Sequence, residues 1–88
     1  MNNYQPLPTP NILRMKQIRE QTGVPPSTIY DHIGKGLFVH PIKLGERISG
    51  WLESEVTAIM AARIAGKSET EIKALVQSLE NDRVANWG

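Results

Sequence analysis

The feature that most restricts this chain is a run of backbone punctuation, Thr22-Gly23-Val24-Pro25-Pro26, set between two short segments of helical character. Gly23 suits the left-handed position that commonly ends a helix. Pro26 suits the first turn of the next, because its φ is already helical and its missing N–H costs nothing there. Upstream, Met15 to Thr22 reads as a helix with Ile18 as its main inward residue and Leu13 and Met15 at its entrance. Downstream, Ser27 to Ile33 continues the helix from Pro26, and Ile29 with Ile33 forms an inward i, i+4 apolar pair. Gly34 and Gly36 bracket Lys35 and stop it. The result is two short helices joined by a tight turn at Gly23.

The period then changes. Leu37 to Leu44 carries Phe38, Val39, Ile42 and Leu44, with Pro41 marking a strand edge or start. Gly45-Glu46 lies between Ile42-Lys43-Leu44 and Arg47-Ile48-Ser49, which predicts a hairpin with a two-residue turn. Gly in its first position allows type II′. Glu53 to Ala65 is a third helix, with Val56, Ile59, Met60 and Ile64 on one face and Glu53 and Glu55 in its first turn, where the helix dipole favours negative charge. Gly66 ends it. Ser68 with Glu71 is a capping-box signature for a fourth helix. Its stripe is Ile72, Leu75, Val76 and Leu79 at i, i+3, i+4 and i+7. From Asn81 onward there is no strong pattern apart from Trp87. Phe38 and Trp51 fall where the hairpin returns to the helices and are expected in the core.

Eighty-eight residues make one structural unit, and a chain of this size buries only roughly 60% of the surface its unfolded form exposes. There is no cysteine, so disulfides, thiolate zinc sites and thiol nucleophiles are excluded together. No apolar run approaches the roughly 20 residues that span a bilayer. Residues 1–10 are polar, proline-rich and uncharged, unlike a signal peptide. They are expected to form a flexible arm before the helix-turn-helix and hairpin domain at 11–66 and an amphipathic helix and tail at 67–88. His32 and His40 have no acidic ligand pattern beside them, so no metal or other cofactor is expected. No nucleophile comes with a base and an orienting partner, so the chain is not expected to be an enzyme.

Net charge is +1, but it is unevenly spread. Residues 1–50 hold six Lys/Arg (Arg14, Lys16, Arg19, Lys35, Lys43, Arg47) against three acids, whereas residues 51–88 hold four against six. A front half that faces phosphate and a back half that does not would produce this asymmetry, and so would an ordinary solvated surface.

The order helix, turn, helix, hairpin, helix is that of a minimal winged helix. Ile12-Leu13-Arg14-Met15-Lys16-Gln17-Ile18, Thr22-Gly23-Val24 and Ser27-Thr28-Ile29-Tyr30 resemble the AlpA-type prophage transcriptional regulators. So do Gly36-Leu37-Phe38, Pro41-Ile42-Lys43-Leu44-Gly45, Trp51 and Glu55-Val56. The similarity spans about residues 12 to 65 and extends more distantly to phage excisionases and the DNA-binding half of MerR-type regulators. It implies a mainly α, winged helix-turn-helix fold with additional C-terminal helices. It further implies a cytoplasmic regulator of mobile-element genes, with the second helix in the major groove of double-stranded DNA and the hairpin as a wing.

On that footing the outward face of the second helix is Ser27, Thr28, Tyr30, Asp31 and Gly34. Ser27 and Thr28 lie at the helix start, where hydroxyls and N–H groups bind phosphate oxygens; Ser and Thr are also favoured there for helix initiation alone. Tyr30 can meet a phosphate or a thymine methyl, or brace the turn as a half-buried ring. Asp31 can accept from cytosine N4, or simply pair with Lys35 at i+4. Lys35, Lys43 and Arg47 are expected on the DNA backbone, Lys43 and Arg47 along the minor groove or its phosphates unless they only protect the edges of a solvated hairpin. Arg14, Lys16 and Arg19 surround the first helix, which crosses the backbone in this motif. The Ile72–Leu79 stripe either packs inward or pairs with a second copy of the chain as a homodimer. Two alternatives remain: an excisionase-like factor that bends DNA, and a protein-interaction module such as an anti-repressor. The second is favoured by the low net charge, by the Ile72–Leu79 stripe if it is exposed, and by Pro26 and Asp31, which stand at positions often basic in such regulators.

Overall fold

A computed structural model describes residues 11–87; the arm expected at 1–10 lies outside them. The elements in chain order are β1 (Ile12–Leu13), α1 (Met15–Thr22), α2 (Pro26–Gly34), β2 (Ile42–Lys43), β3 (Ser49–Leu52), α3 (Glu53–Ile64) and α4 (Glu69–Trp87). This is a mainly α, winged-helix-like architecture.

The turn between α1 and α2 forms as its sequence dictates. Gly23 has φ +70°, and its N–H returns to Arg19 O at 2.9 Å. Thr22 clips the same turn: its hydroxyl donates to Ile18 O at 2.8 Å and accepts the Val24 N–H at 3.1 Å. At the end of α2, the Gly36 N–H meets Ile33 O at 3.1 Å and the Leu37 N–H meets His32 O at 2.8 Å. With Gly36 at φ +75°, this paired closure satisfies carbonyls that the helix leaves open and turns Leu37 into the core. Gly34 is the last residue of α2 itself.

The three strands form an antiparallel sheet in the order β1-β3-β2. Ile12 pairs with Leu52 and Leu13 with Trp51 on one side of β3; Ile42 pairs with Gly50 and Lys43 with Ser49 on the other. Strand β1 has no signal in the sequence, since two residues carry no readable alternation. The hairpin register also corrects an expectation. Leu44 lies opposite Ile48, with its N–H on Ile48 O at 2.8 Å, so the loop is the three residues Gly45, Glu46 and Arg47. A type II′ turn would require positive φ at Gly45, which is absent. The glycine that matters in this sheet is Gly50: a Cβ there would sit 2.5 Å from Ile12 Cγ2 and 2.9 Å from Leu13 O. Only glycine lets β1 close this tightly on β3.

Leu13, Ile18, Ile29, Leu37, Phe38, Val39, Trp51, Val56, Ile59, Ile72 and Val76 form one buried cluster, with Ile33, Met60, Leu75 and Leu79 packed against it. Phe38 and Trp51 are core residues as expected, and the Trp51 indole N–H is satisfied by Val39 O at 3.1 Å. The α4 stripe packs inward, with Ile72 and Val76 3% exposed, so its apolar face is occupied within the chain. Two other expectations are corrected. Ile64, the last residue of α3, is 84% exposed rather than inward. The residues from Asn81 onward, read as a tail without strong pattern, continue α4 to Trp87. The start of α4 is capped as read: the Ser68 N–H donates to Glu71 Oε1 at 3.1 Å, and the Glu71 N–H donates to Ser68 Oγ at 3.2 Å. The Ser68 N–H and hydroxyl, with Lys67 nearby, hold the Glu71 carboxyl below its ordinary pKa. Among the described residues, no helix is long and apolar enough to cross a membrane.

Candidate nucleic-acid interface

Helix α2 is anchored by Ile29 at 2% exposure and by Ile33, which turns the other side outward. Ser27, Tyr30, Asp31, Gly34 and Lys35 are exposed there, and Thr28 is half-buried. Tyr30 is 56% exposed, so its ring does not brace the turn from within the core. The helix start differs from the expectation in one respect. Pro25 and Pro26 carry no N–H, and the Thr28 and Ile29 N–H groups are taken by Pro25 O at 3.0 and 3.1 Å. What this end offers an anion is chiefly the hydroxyls of Ser27 and Thr28, with fewer N–H groups than an ordinary helix start. Asp31 Oδ2 pairs with Lys35 Nζ at 3.0 Å, the i+4 arrangement read from the sequence.

The other cations divide by location. Arg14, Lys16 and Arg19 lie at and along α1, Lys43 is on β2, and Arg47 is in the hairpin loop; all five are exposed. Among the described residues none of these five forms an ion pair. The cations of the back half are mostly spent within the chain. Lys67 lies 3.8 Å from Glu71, Arg63 Nη2 is 3.4 Å from His32 Nδ1, and Arg83 grips Glu55. The hairpin also presents Leu44 and Ile48, 48% and 46% exposed, beside Lys43 and Arg47. Glu46 is at its tip.

Sequence reasoning missed the polar network behind the wing. Arg83 Nη2 donates to Glu55 Oε1 at 2.7 Å, and Nε donates to Oε2 at 3.0 Å, a two-pronged contact with a carboxylate that is itself 4% exposed. The same Nη2 donates to His40 O at 2.8 Å. The His40 N–H donates to Glu80 Oε2 at 2.7 Å, and its ring Nδ1 lies 2.8 Å from that oxygen, so Nδ1 carries the proton in this contact. Bonding to Glu55 holds the Arg83 pKa above its ordinary value against the opposing effect of burial. For Glu80, burial pushes the pKa up, but the His40 N–H and ring, with the charges of His40 and Arg83, outweigh it and hold the carboxyl below its usual range. Only the i, i+3 spacing of Glu80 and Arg83 is visible in the sequence, and nothing in it names a partner 40 residues away. His32 and His40 both take such structural roles. Among the described residues there is no cluster of His, Cys, Asp or Glu fit to hold a metal ion.

The family described as prophage CP4-57 regulatory protein (AlpA) matches residues 11–64. An uncharacterized protein, ORF88, of Enterobacteria phage P4 is 44% identical over 66 residues, covering 69% of this chain and 75% of the relative. No solved structure matches. The chain belongs to the AlpA family of prophage regulatory proteins.

Proposed function

We propose that this protein is a sequence-specific, double-stranded-DNA-binding transcriptional regulator of a prophage or other mobile element, acting without catalysis in the bacterial cytoplasm. Helix α2 enters the major groove, with Ser27 and Thr28 at phosphate and Tyr30 and Asp31 at base edges. Lys35 stands at the edge of that helix, where phosphate competes with Asp31 for its charge. Lys43 and Arg47 take the wing along the backbone, and Arg14, Lys16 and Arg19 meet the phosphates that α1 crosses. Residues 11–66 form the DNA-binding unit in this reading and 67–88 support it. The observation that carries it is the division of charge. Five of the six Lys/Arg of the front half are exposed and unpaired among the described residues, while in the back half Arg83, Lys67 and Arg63 are engaged within the chain and Lys73 alone is exposed and unpaired. Unpaired cations held on one helix and one hairpin suit a polyanion.

One observation favours the second reading, an excisionase-like DNA-bending factor. Leu44 and Ile48 stand exposed beside Lys43 and Arg47, and apolar side chains next to cations can wedge a minor groove open. The reading as an anti-repressor or adaptor keeps the low net charge and the neutral and acidic positions Pro26 and Asp31 but loses one of its supports, because the α4 stripe is packed into the chain's own core.

The test is selection of duplex DNA from a randomised pool by the purified protein, followed by titration of the enriched duplex against salt. We expect one sequence to be enriched, with binding that weakens by about 0.9 log units per phosphate contact for each tenfold rise in salt. Lys43→Ala with Arg47→Ala should reduce that slope by up to about 1.8. A bend measured on the same duplex separates excisionase-like action from simple regulation. If no sequence is enriched and no duplex binds at low salt, the DNA-binding reading is wrong.

A further inference from the structure

We propose that α4 is the brace of the wing, and that Glu80 and Arg83 are positioning residues for the DNA contacts of Lys43 and Arg47. This rests on the DNA-binding reading above and adds a role for the helix beyond the residues that match the family.

The wing is weak by itself. Its first strand is two residues long and pairs with β3 only through Ile42–Gly50 and Lys43–Ser49, while β1 holds β3 further along at Trp51 and Leu52, so the ladder within the wing is marginal taken alone. What fixes it is the chain just before β2. Val39 O accepts from the Trp51 indole at 3.1 Å, the His40 N–H is held by Glu80 at 2.7 Å, and His40 O is held by Arg83 at 2.8 Å. Three successive backbone groups are therefore tied down by side chains, two of them from α4. Pro41 follows, with its φ restricted by the ring. Lys43 is three residues past His40, within about 10 Å of chain. Arg83 is in turn locked by Glu55 at the start of α3, directly after β3. Both ends of the hairpin thus meet at one arginine: the incoming strand through His40 O, and the outgoing strand through Glu55. Glu80 and Arg83 set the angle at which the wing leaves the body of the protein, and a wing free to swing would meet DNA correctly only part of the time.

The test uses the full chain and the enriched duplex. Glu80→Ala removes both bonds to His40 while leaving the buried Glu55–Arg83 pair intact, so the fold is kept. It should weaken DNA binding about fivefold, the factor carried by one net hydrogen bond of ordinary strength. The same substitution should have no effect in a chain already carrying Lys43→Ala and Arg47→Ala, because the contacts it positions are gone. In the free protein it should speed amide exchange at Leu44, whose N–H crosses the hairpin to Ile48 O, without changing exchange at Ile18. Glu80→Gln, which keeps an acceptor for the His40 N–H, should restore most of the loss. Equal weakening in both backgrounds would reduce Glu80 to general stability and overturn the proposal, as would unchanged exchange at Leu44. If Lys43→Ala with Arg47→Ala binds the duplex as well as the natural chain, the wing reading itself fails, and positioning by α4 has nothing to act on.

Discussion

Glu55 sits in the first turn of α3, where a carboxylate meets the positive end of the helix dipole. On the surface that contribution would be a few tenths of a kcal/mol and the residue would be replaceable. Here the side chain is buried, and Arg83 from the far end of α4 supplies the compensating charge at 2.7 Å. Removing one partner of such a pair costs more than the pair contributes, because the remaining charge is left buried. Arg83→Ala should therefore cost about 3 kcal/mol, the lower end of the usual range, since 22% exposure lets water reach the vacated site. Glu55→Gln should cost less, because the arginine left behind can turn toward solvent. Urea unfolding of the two variants checks the order, and a negligible loss in Arg83→Ala would show that the pair is not stabilising. Gly50 is the complementary case, a residue whose importance lies in lacking a side chain where β1 crosses β3.

At the scale of elements, α4 is the decisive piece. Its 19 residues outlast the 12 of α3 and reach back to the wing root. Its apolar stripe completes a core that α1, α2 and the small sheet cannot close alone. Ile72→Ala should cost about 2–4 kcal/mol, the range for emptying a buried aliphatic site. The loss should not depend on protein concentration, because the stripe packs within one chain. Unfolding midpoints that rise with concentration would instead mark Ile72 as part of a seam between two copies.

In the molecule as a whole, the two halves use charge differently. The front half keeps all its cations but Lys35 unpaired on its surface, and the back half uses all of its own but Lys73 in contacts within the chain. The internal contacts give stability an acid limit. Glu80 and Glu71 both titrate below their ordinary values in the folded chain. Their contributions are complete above the unfolded carboxylate pKa, near 4, and are lost as pH falls through the lower folded values. The melting temperature should be nearly level between pH 7 and about pH 5 and fall below about pH 4. Glu80→Gln should flatten the acid limb, and an unchanged limb would mean the Glu80–His40 contact carries no linked stability.

Much of the fold was legible because its signals are local. Gly23 and Pro26 each restrict their own φ, so the helix-turn-helix follows from single residues whatever surrounds them. The capping box at Ser68 and Glu71 and the stripe from Ile72 to Leu79 are read within one or two helical turns. The outward face of α2 follows from the inward pair Ile29 and Ile33, and the Asp31–Lys35 pair from their spacing. The register of the hairpin and the strand β1 were not legible, because two-residue strands are specified by the neighbours they pair with rather than by their own pattern. Nor was the fate of Ile64, the last residue of α3, whose periodicity puts it on the inward face but which the packing leaves exposed. The network joining Glu55, Arg83, His40 and Glu80 was beyond reach for the same reason. Charged residues at both ends of a helical hairpin read as solvated surface until the packing of α4 brings them within hydrogen-bond distance. Which segments are helices, where they turn and which faces are apolar are therefore settled by the chain's own order of residues, through backbone sterics and short-range periodicity. How the wing is held is settled only on folding, because it depends on contacts between residues about 30 to 40 positions apart.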